Sequence, residues 1–169
     1  MPKPRRVDDN PILVAEDDEN HAFFIKRAFQ QAGLQNPVHF ASDGQEAVDY
    51  LKGDGRYANR DEYPLPTLLL LDLKMPNKNG FEVLEWVRAQ PSLKTLRVIV
   101  LTTSGETRDI NRAYHLGANS FLTKPLNFTE LVQLTNWVKG YWLQFSSAPE
   151  IKRPPRKETS ADHNIVEPR

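Results

Sequence analysis

The 169-residue chain contains no cysteine. That excludes disulfides, thiolate metal sites and a thiol nucleophile. It also lacks any long hydrophobic run. Its apolar stretches fall far short of the roughly 18 residues needed to span a bilayer, and Met1 to Asn10 has no apolar signal core. Net charge is absent as well: 22 Lys and Arg offset 22 Asp and Glu, so no whole-chain field draws it to nucleic acid or an anionic membrane. The expected compartment is the cytoplasm. What remains is an ordinary globular composition, 39% hydrophobic and 26% charged, long enough for one domain with polar tails.

The informative features are short apolar runs, each followed by a chemically active side chain. Ile12-Leu13-Val14-Ala15 precedes Glu16 and Asp17. Leu68-Leu69-Leu70-Leu71 precedes Asp72. Val98-Ile99-Val100-Leu101 precedes Thr102, and Ser120-Phe121-Leu122-Thr123 precedes Lys124. Such runs, separated by helix-like stretches, predict buried parallel strands at 12–15, 67–72, 97–102 and 120–123, with a further short strand at 38–41. Between them, spacing and stop signals predict helices over 20–32 (ended by Gly33), from the Asp43/Glu46 capping-box pair through Leu51, over 81–90, over about 106–116 (ended by Gly117), and from the Asn127/Glu130 pair to about Trp142. Gly53 to Pro66 reads as a surface loop and Pro76 to Gly80 as a turn.

Five strand–helix units joined by right-handed crossovers give an α/β fold, a doubly wound five-stranded parallel sheet of order 2-1-3-4-5 with helices on both faces. Residues 11–145 form this domain. Residues 1–10 are expected to be a flexible lead-in, and 146–169 a disordered polar tail too short and polar to be a folded effector module. The basic stretch Lys152-Arg153-Pro154-Pro155-Arg156-Lys157 is balanced by neighbouring acids, so nucleic-acid binding is not expected.

Residues that follow parallel strands gather at the sheet's carboxyl edge, where such folds bind ligands. Glu16, Asp17 and Asp72 would therefore meet Thr102 and Lys124 in one cleft. Taken singly each has a bland reading: an aspartate capping a loop, a strand threonine, a surface lysine. Together, three crowded carboxylates call for a cation. Mg²⁺ suits them, with one further ligand from a loop carbonyl, most simply that of Lys74. Pro125 allows a cis peptide bond that could turn Lys124 inward.

These elements, Leu13-Val14-Ala15-Glu16-Asp17-Asp18, Leu70 to Gly80, Val100-Leu101-Thr102-Thr103-Ser104 and Phe121-Leu122-Thr123-Lys124-Pro125, resemble those of the flavodoxin-like receiver domains of two-component response regulators. The loop Gly53-Asp54-Gly55-Arg56-Tyr57 and the end Tyr141-Trp142-Leu143 resemble the small stand-alone regulators paired with bacterial and cyanobacterial phytochromes. The resemblance implies that Asp72 accepts a phosphoryl group from a histidine kinase. It implies that Asp17 binds Mg²⁺ directly and Glu16 through water, with Asp72 and the Lys74 carbonyl completing the protein's share. Asp18 is an ambiguous third acid beside that pair. Thr102 and Lys124 would stabilise the phosphoryl group, and Thr102 and Phe121 would form the switch. Lys74 and Ser104 occupy positions that tune the lifetime of the phosphorylated state. In phosphoryl transfer, positioning and electrostatics carry the reaction.

Two other readings compete. An aspartyl-nucleophile phosphatase wants a general acid two residues after the nucleophile, where Lys74 stands. A flavodoxin-like binding module wants a phosphate-cradling loop, where Glu16 to Glu19 would repel phosphate. Along the last helix Phe128, Leu131, Val132, Thr135 and Val138 can face the sheet. Leu134, Trp137, Tyr141, Trp142 and Phe145 are then either cover for the core edge or a homodimer interface. His21, His39, His115 and His163 lack metal-ligand spacing and read as structural or exposed, although His21, near the cleft, could touch an incoming protein.

Overall fold

A computed structural model describes residues 10–145, 147–149 and 151. The elements alternate strictly: β1 (Ile12–Ala15), α1 (Glu19–Gln31), β2 (Val38–Ala41), α2 (Gly44–Lys52), β3 (Leu68–Leu71), α3 (Gly80–Ala89), β4 (Arg97–Thr102), α4 (Thr107–His115), β5 (Ser120–Thr123) and α5 (Phe128–Val138). All five strands pair in parallel in the order β2-β1-β3-β4-β5, as the apolar runs predict. β1, β3 and β4 are fully buried. β5 is an edge strand and only half-buried, which corrects its reading as a buried run: its outer side has no further strand to cover it.

Alternation along the central strands builds two cores. Leu13, Ala15, Leu69, Leu71, Val98 and Val100 face one side with Val48, Val83, Leu84 and Val87 of α2 and α3. Ile12, Val14, Leu68, Leu70, Ile99 and Leu101 face the other with Ile25 and Phe29 of α1 and Val138 of α5. On that second side α1 packs against α5, while on the first α2 packs against α3. Each central strand is thus apolar on both faces, as a sheet covered on both sides requires.

Several local devices differ from the sequence reading. Asp43 caps α2 through the Glu46 N–H at 2.7 Å, but the Glu46 carboxylate turns to the Ser42 N–H at 2.7 Å rather than back to Asp43. Burial pushes the Glu46 carboxyl up, but hydrogen bonds from Ser42 and Tyr57 and the charge of Arg56 outweigh it and hold it below its ordinary value. The reciprocal capping box lies instead at Asn79/Glu82, heading α3. The 53–66 loop contains a 3₁₀ turn at Gly55–Tyr57. It is folded onto α2: Arg60 donates to the carbonyls of Tyr50 (2.7 Å) and Leu51 (2.8 Å), and Tyr50, Tyr57 and Tyr63 pack ring against ring.

The last helix is not a single α-helix to Trp142. After Val138 it loosens into a π-helical segment, Lys139–Phe145. There Lys139 Nζ reaches the Ala32 carbonyl at the end of α1 (3.2 Å), and Arg97 lies 5.6 Å from the Trp142 ring. Most of the expected lead-in and tail, including the basic stretch at 152–157, lies outside the described residues. Within the expected tail, Ile151 packs against the first core, so the chain is docked at that point.

Candidate functional site

Main-chain hydrogen bonds extend the ladder past the strand ends. The Glu16 N–H donates to Ala41 O at 3.0 Å, the Asp72 N–H to Ala15 O at 3.1 Å, and the Lys124 N–H to Thr102 O at 2.7 Å. The residues after β1, β3 and β5 are therefore fixed relative to the neighbouring strands, and all three sit on the carboxyl edge. The turn after β3 is equally constrained. Asn77 takes a left-handed φ of 63°, which Asn tolerates, and its amide donates to Asp43 at 2.8 Å. A Cβ at Gly80 would lie 2.2 Å from the Asp72 carbonyl oxygen, so glycine there lets α3 start hard against the residue that carries the site.

The side chains converge as the strand-end pattern predicts. Glu16, Asp17 and Asp72 place carboxylate oxygens within 4.8 Å of one another. Glu16 and Asp72 are buried and Asp17 is exposed. Lys124, whose side chain is only 8% exposed, puts its ammonium 3.0 Å from Asp72 Oδ2 and in hydrogen-bond contact with Glu16 Oε2. The other Asp72 oxygen accepts from the Leu73 N–H at 2.7 Å. Burial pushes the Glu16 carboxyl up, and the charge of Asp72 adds to this, against the pull of the hydrogen bond from Lys124. Three carboxylates facing one ammonium leave negative charge uncompensated. A divalent cation with oxygen ligands fits such a set and reverses that local penalty.

Asp18 does not join the cluster. It is the N-cap of α1, accepting from the N–H groups of Asn20 (2.9 Å) and His21 (3.0 Å). Of the four consecutive acids Glu16 to Glu19, Asp17 has its carboxylate with the cluster, whereas Asp18 is occupied by helix capping. The Lys124–Pro125 bond is trans, with no cis peptide among the described residues. The Lys124 N–H to Thr102 carbonyl bond holds the chain there instead. Lys74 is exposed, two residues past Asp72. The Ser104 hydroxyl donates to Asp109 of α4 at 2.7 Å.

Thr102 is completely buried, and its hydroxyl has no hydrogen-bond partner among the described residues. A buried unsatisfied hydroxyl costs about 1–3 kcal/mol. Phe121 is half-buried against the first core, and its N–H donates to the Tyr114 hydroxyl at 3.1 Å. The sequence reading assigned no role to Tyr114. The half-open β5 edge, once known, explains its use as a hydroxyl supplied by α4 to an otherwise unpaired strand N–H.

His21 enters the site more fully than its position in the sequence suggested: its Nδ1 lies 3.1 Å from Lys124 Nζ and 3.7 Å from Glu16 Oε1. Of the residues expected at a dimer interface, Leu134 and Trp142 are half-buried and pack on the second core. Trp137 and Tyr141 are exposed, at 73% and 63%. The side chain of Phe145 lies outside the described residues.

A flavodoxin-type sheet with an acidic trio, a buried threonine and a lysine at its carboxyl edge defines a phosphoryl-receiving signalling domain, and comparison with known proteins agrees. Residues 12–136 match the family model of the response regulator receiver domain, and the chain belongs to that family. The protein named probable methanogenesis regulatory protein FilR2, of Methanothrix harundinacea, is 39% identical over 141 residues, covering 82% of this chain and 86% of its own. Response regulator Rcp1 of Synechocystis is 33% identical, covering 82% of this chain and 92% of its own. The Mn²⁺-bound crystal structure of Rcp1 matches with a TM-score of 0.75. The phosphorylated cyanobacterial phytochrome response regulator RcpA is 34% identical, with a TM-score of 0.78 over 84% of this chain and 99% of its own.

The orphaned hydroxyl gives a direct prediction. Thr102→Val keeps the β-branched shape and removes the unsatisfied group. It is expected to raise unfolding free energy by about 1 kcal/mol, read from urea denaturation. A loss of stability would mean that the hydroxyl is satisfied in the folded protein.

Proposed function

We propose that this receiver accepts a phosphoryl group on Asp72 from a phosphohistidine of a partner histidine kinase and so switches a protein-interaction surface. The observation that carries this reading is the Lys124 ammonium bridging Asp72 and Glu16, with Thr102, whose buried hydroxyl is unpartnered, ending the neighbouring strand β4. An Asp72 oxygen attacks phosphorus in line, the P–N bond breaks, and the imidazole leaves with the electron pair. Lys124 is placed to neutralise charge on the phosphoryl oxygens, where such catalysis acts. Glu16, Asp17, Asp72 and the Lys74 carbonyl would hold Mg²⁺, which when bound supplies charge neutralisation for the phosphoryl oxygens. The Mn²⁺-bound state of Rcp1 supports a divalent ion there.

The acyl phosphate offers new acceptor oxygens. The Thr102 hydroxyl, with no internal bond to lose, can turn to one of them, and Phe121, paired with Val100 on the adjacent strand, is the aromatic residue proposed to enter the space so vacated. Ser104 and Lys74, next to the site, tune the lifetime of this state. The protein is a stoichiometric acceptor rather than a turnover enzyme, and it acts in the cytoplasm. The described residues include no helix long and apolar enough to cross a membrane. The likeness to RcpA favours a phytochrome-type light sensor as the source of the signal.

The exposed pair Trp137 and Tyr141, on the turns where α5 passes into its π-helical end, supports a homodimer through this region. Sedimentation at micromolar concentration is expected to give a dimer that Trp137→Ala weakens at least tenfold. A monomer with and without phosphorylation would remove the dimer from the proposal.

The central test is chemical. Incubation with a small acyl- or amido-phosphate donor and Mg²⁺ is expected to add the mass of one phosphoryl group to the wild type and none to Asp72→Asn. Labelling of the variant, or of neither protein, would contradict the assignment.

A further inference from the structure

We infer that His21 is a positioning residue for the phosphoryl-transfer site, holding the Lys124 ammonium through a hydrogen bond to its Nδ1. The functional part of this inference rests on the role proposed above for Lys124. The geometry itself does not.

An ammonium has three protons and no lone pair. In this structure Lys124 has three acceptors within hydrogen-bond range: Glu16 Oε2, Asp72 Oδ2 at 3.0 Å and His21 Nδ1 at 3.1 Å. Because lysine can only donate, Nδ1 must present its lone pair. The ring proton then lies on Nε2 of a side chain that is 43% exposed.

The three partners are not equivalent. Glu16 and Asp72 both belong to the carboxylate trio that a divalent cation would occupy, and Asp72 is also the residue to be phosphorylated. Both therefore change their bonding when the site is used. His21 is the one partner of the ammonium that neither event draws on. It comes from α1, across the cleft from β5, and its backbone is fixed by the Asp18 cap at 3.0 Å. Lys124 is thus held at the cleft mouth from a side independent of the cation and of Asp72. A long flexible side chain restrained in this way does not have to find its position at each phosphorylation event.

The fold should tolerate the test substitution. The cap uses the His21 N–H rather than its side chain, and alanine is the better helix former. The test has two arms. In the first, ¹⁵N spectra of the imidazole at about pH 8, where an ordinary ring is neutral, are expected to show His21 as the Nε2–H tautomer with Nδ1 unprotonated. A proton on Nδ1 would overturn the inference, whatever the protein's phosphorylation behaviour.

In the second arm, phosphorylation by phosphoramidate with Mg²⁺ is followed at varied donor concentration. His21→Ala is expected to lower the maximal rate about three- to tenfold, as loss of one ordinary hydrogen bond implies, with little change in the half-saturating donor concentration. His21→Asn, whose Oδ1 can take the place of Nδ1 as acceptor, is expected to restore most of the rate. In a Lys124→Met background, His21→Ala is expected to change nothing further. A His21→Ala rate equal to wild type, or an undiminished effect without Lys124, would overturn the inference. Failure of the wild type to phosphorylate would instead sink the proposed function, and the tautomer would still decide the contact.

Discussion

The Lys124 ammonium between Glu16 and Asp72 is the interaction on which the site depends. Two buried carboxylates beside a third exposed one are not stable neighbours without positive charge, and Lys124 is the cation that the sheet delivers to them. Its delivery is a backbone matter. The Lys124 N–H is tied to the last residue of β4, as that of Asp72 is tied to the last residue of β1 and that of Glu16 to the last of β2. The charge cluster is thus the far end of the same hydrogen-bond ladder that holds the sheet together.

Two features of the site are unfavourable as they stand. Glu16 is pushed up by burial and by Asp72 despite its lysine partner, and Thr102 keeps a hydroxyl buried without a bond. Both features are costly, and on the proposed function both would be relieved, the carboxylates by a divalent cation and the hydroxyl by a phosphoryl oxygen. Differential stabilisation of this kind is what lets a small covalent change bias a two-state surface. The nearby α4–β5 contact, where Tyr114 holds the Phe121 N–H, joins the proposed switch position to the exterior of the domain.

Much of this was legible in the chain. The four-residue apolar runs mark β1 and β3 because strands covered on both faces need no polar alternation. The residues just after the runs supplied the site, since parallel strands align their carboxyl ends. Local chemistry was less legible. Four consecutive acids after β1 look alike as letters; only backbone geometry separates Asp18, which caps α1, from Asp17, which enters the cleft. The π-helical end of α5 has no signal in apolar spacing, and that spacing could not separate Leu134 and Trp142, which pack on the core, from the exposed Trp137 and Tyr141. The meeting of His21 and Lys124, from opposite ends of the domain, depends on α1 and β5 flanking one cleft, which no local pattern records.

The most direct measurement is unfolding of wild type and Lys124→Met by urea, first in chelator and then with added Mg²⁺. If Lys124 is the charge that reconciles the trio, the variant is less stable in chelator by about 3 kcal/mol. It then regains most of that difference as Mg²⁺ is added. Equal stability in chelator, or a deficit that Mg²⁺ leaves untouched, would contradict the account.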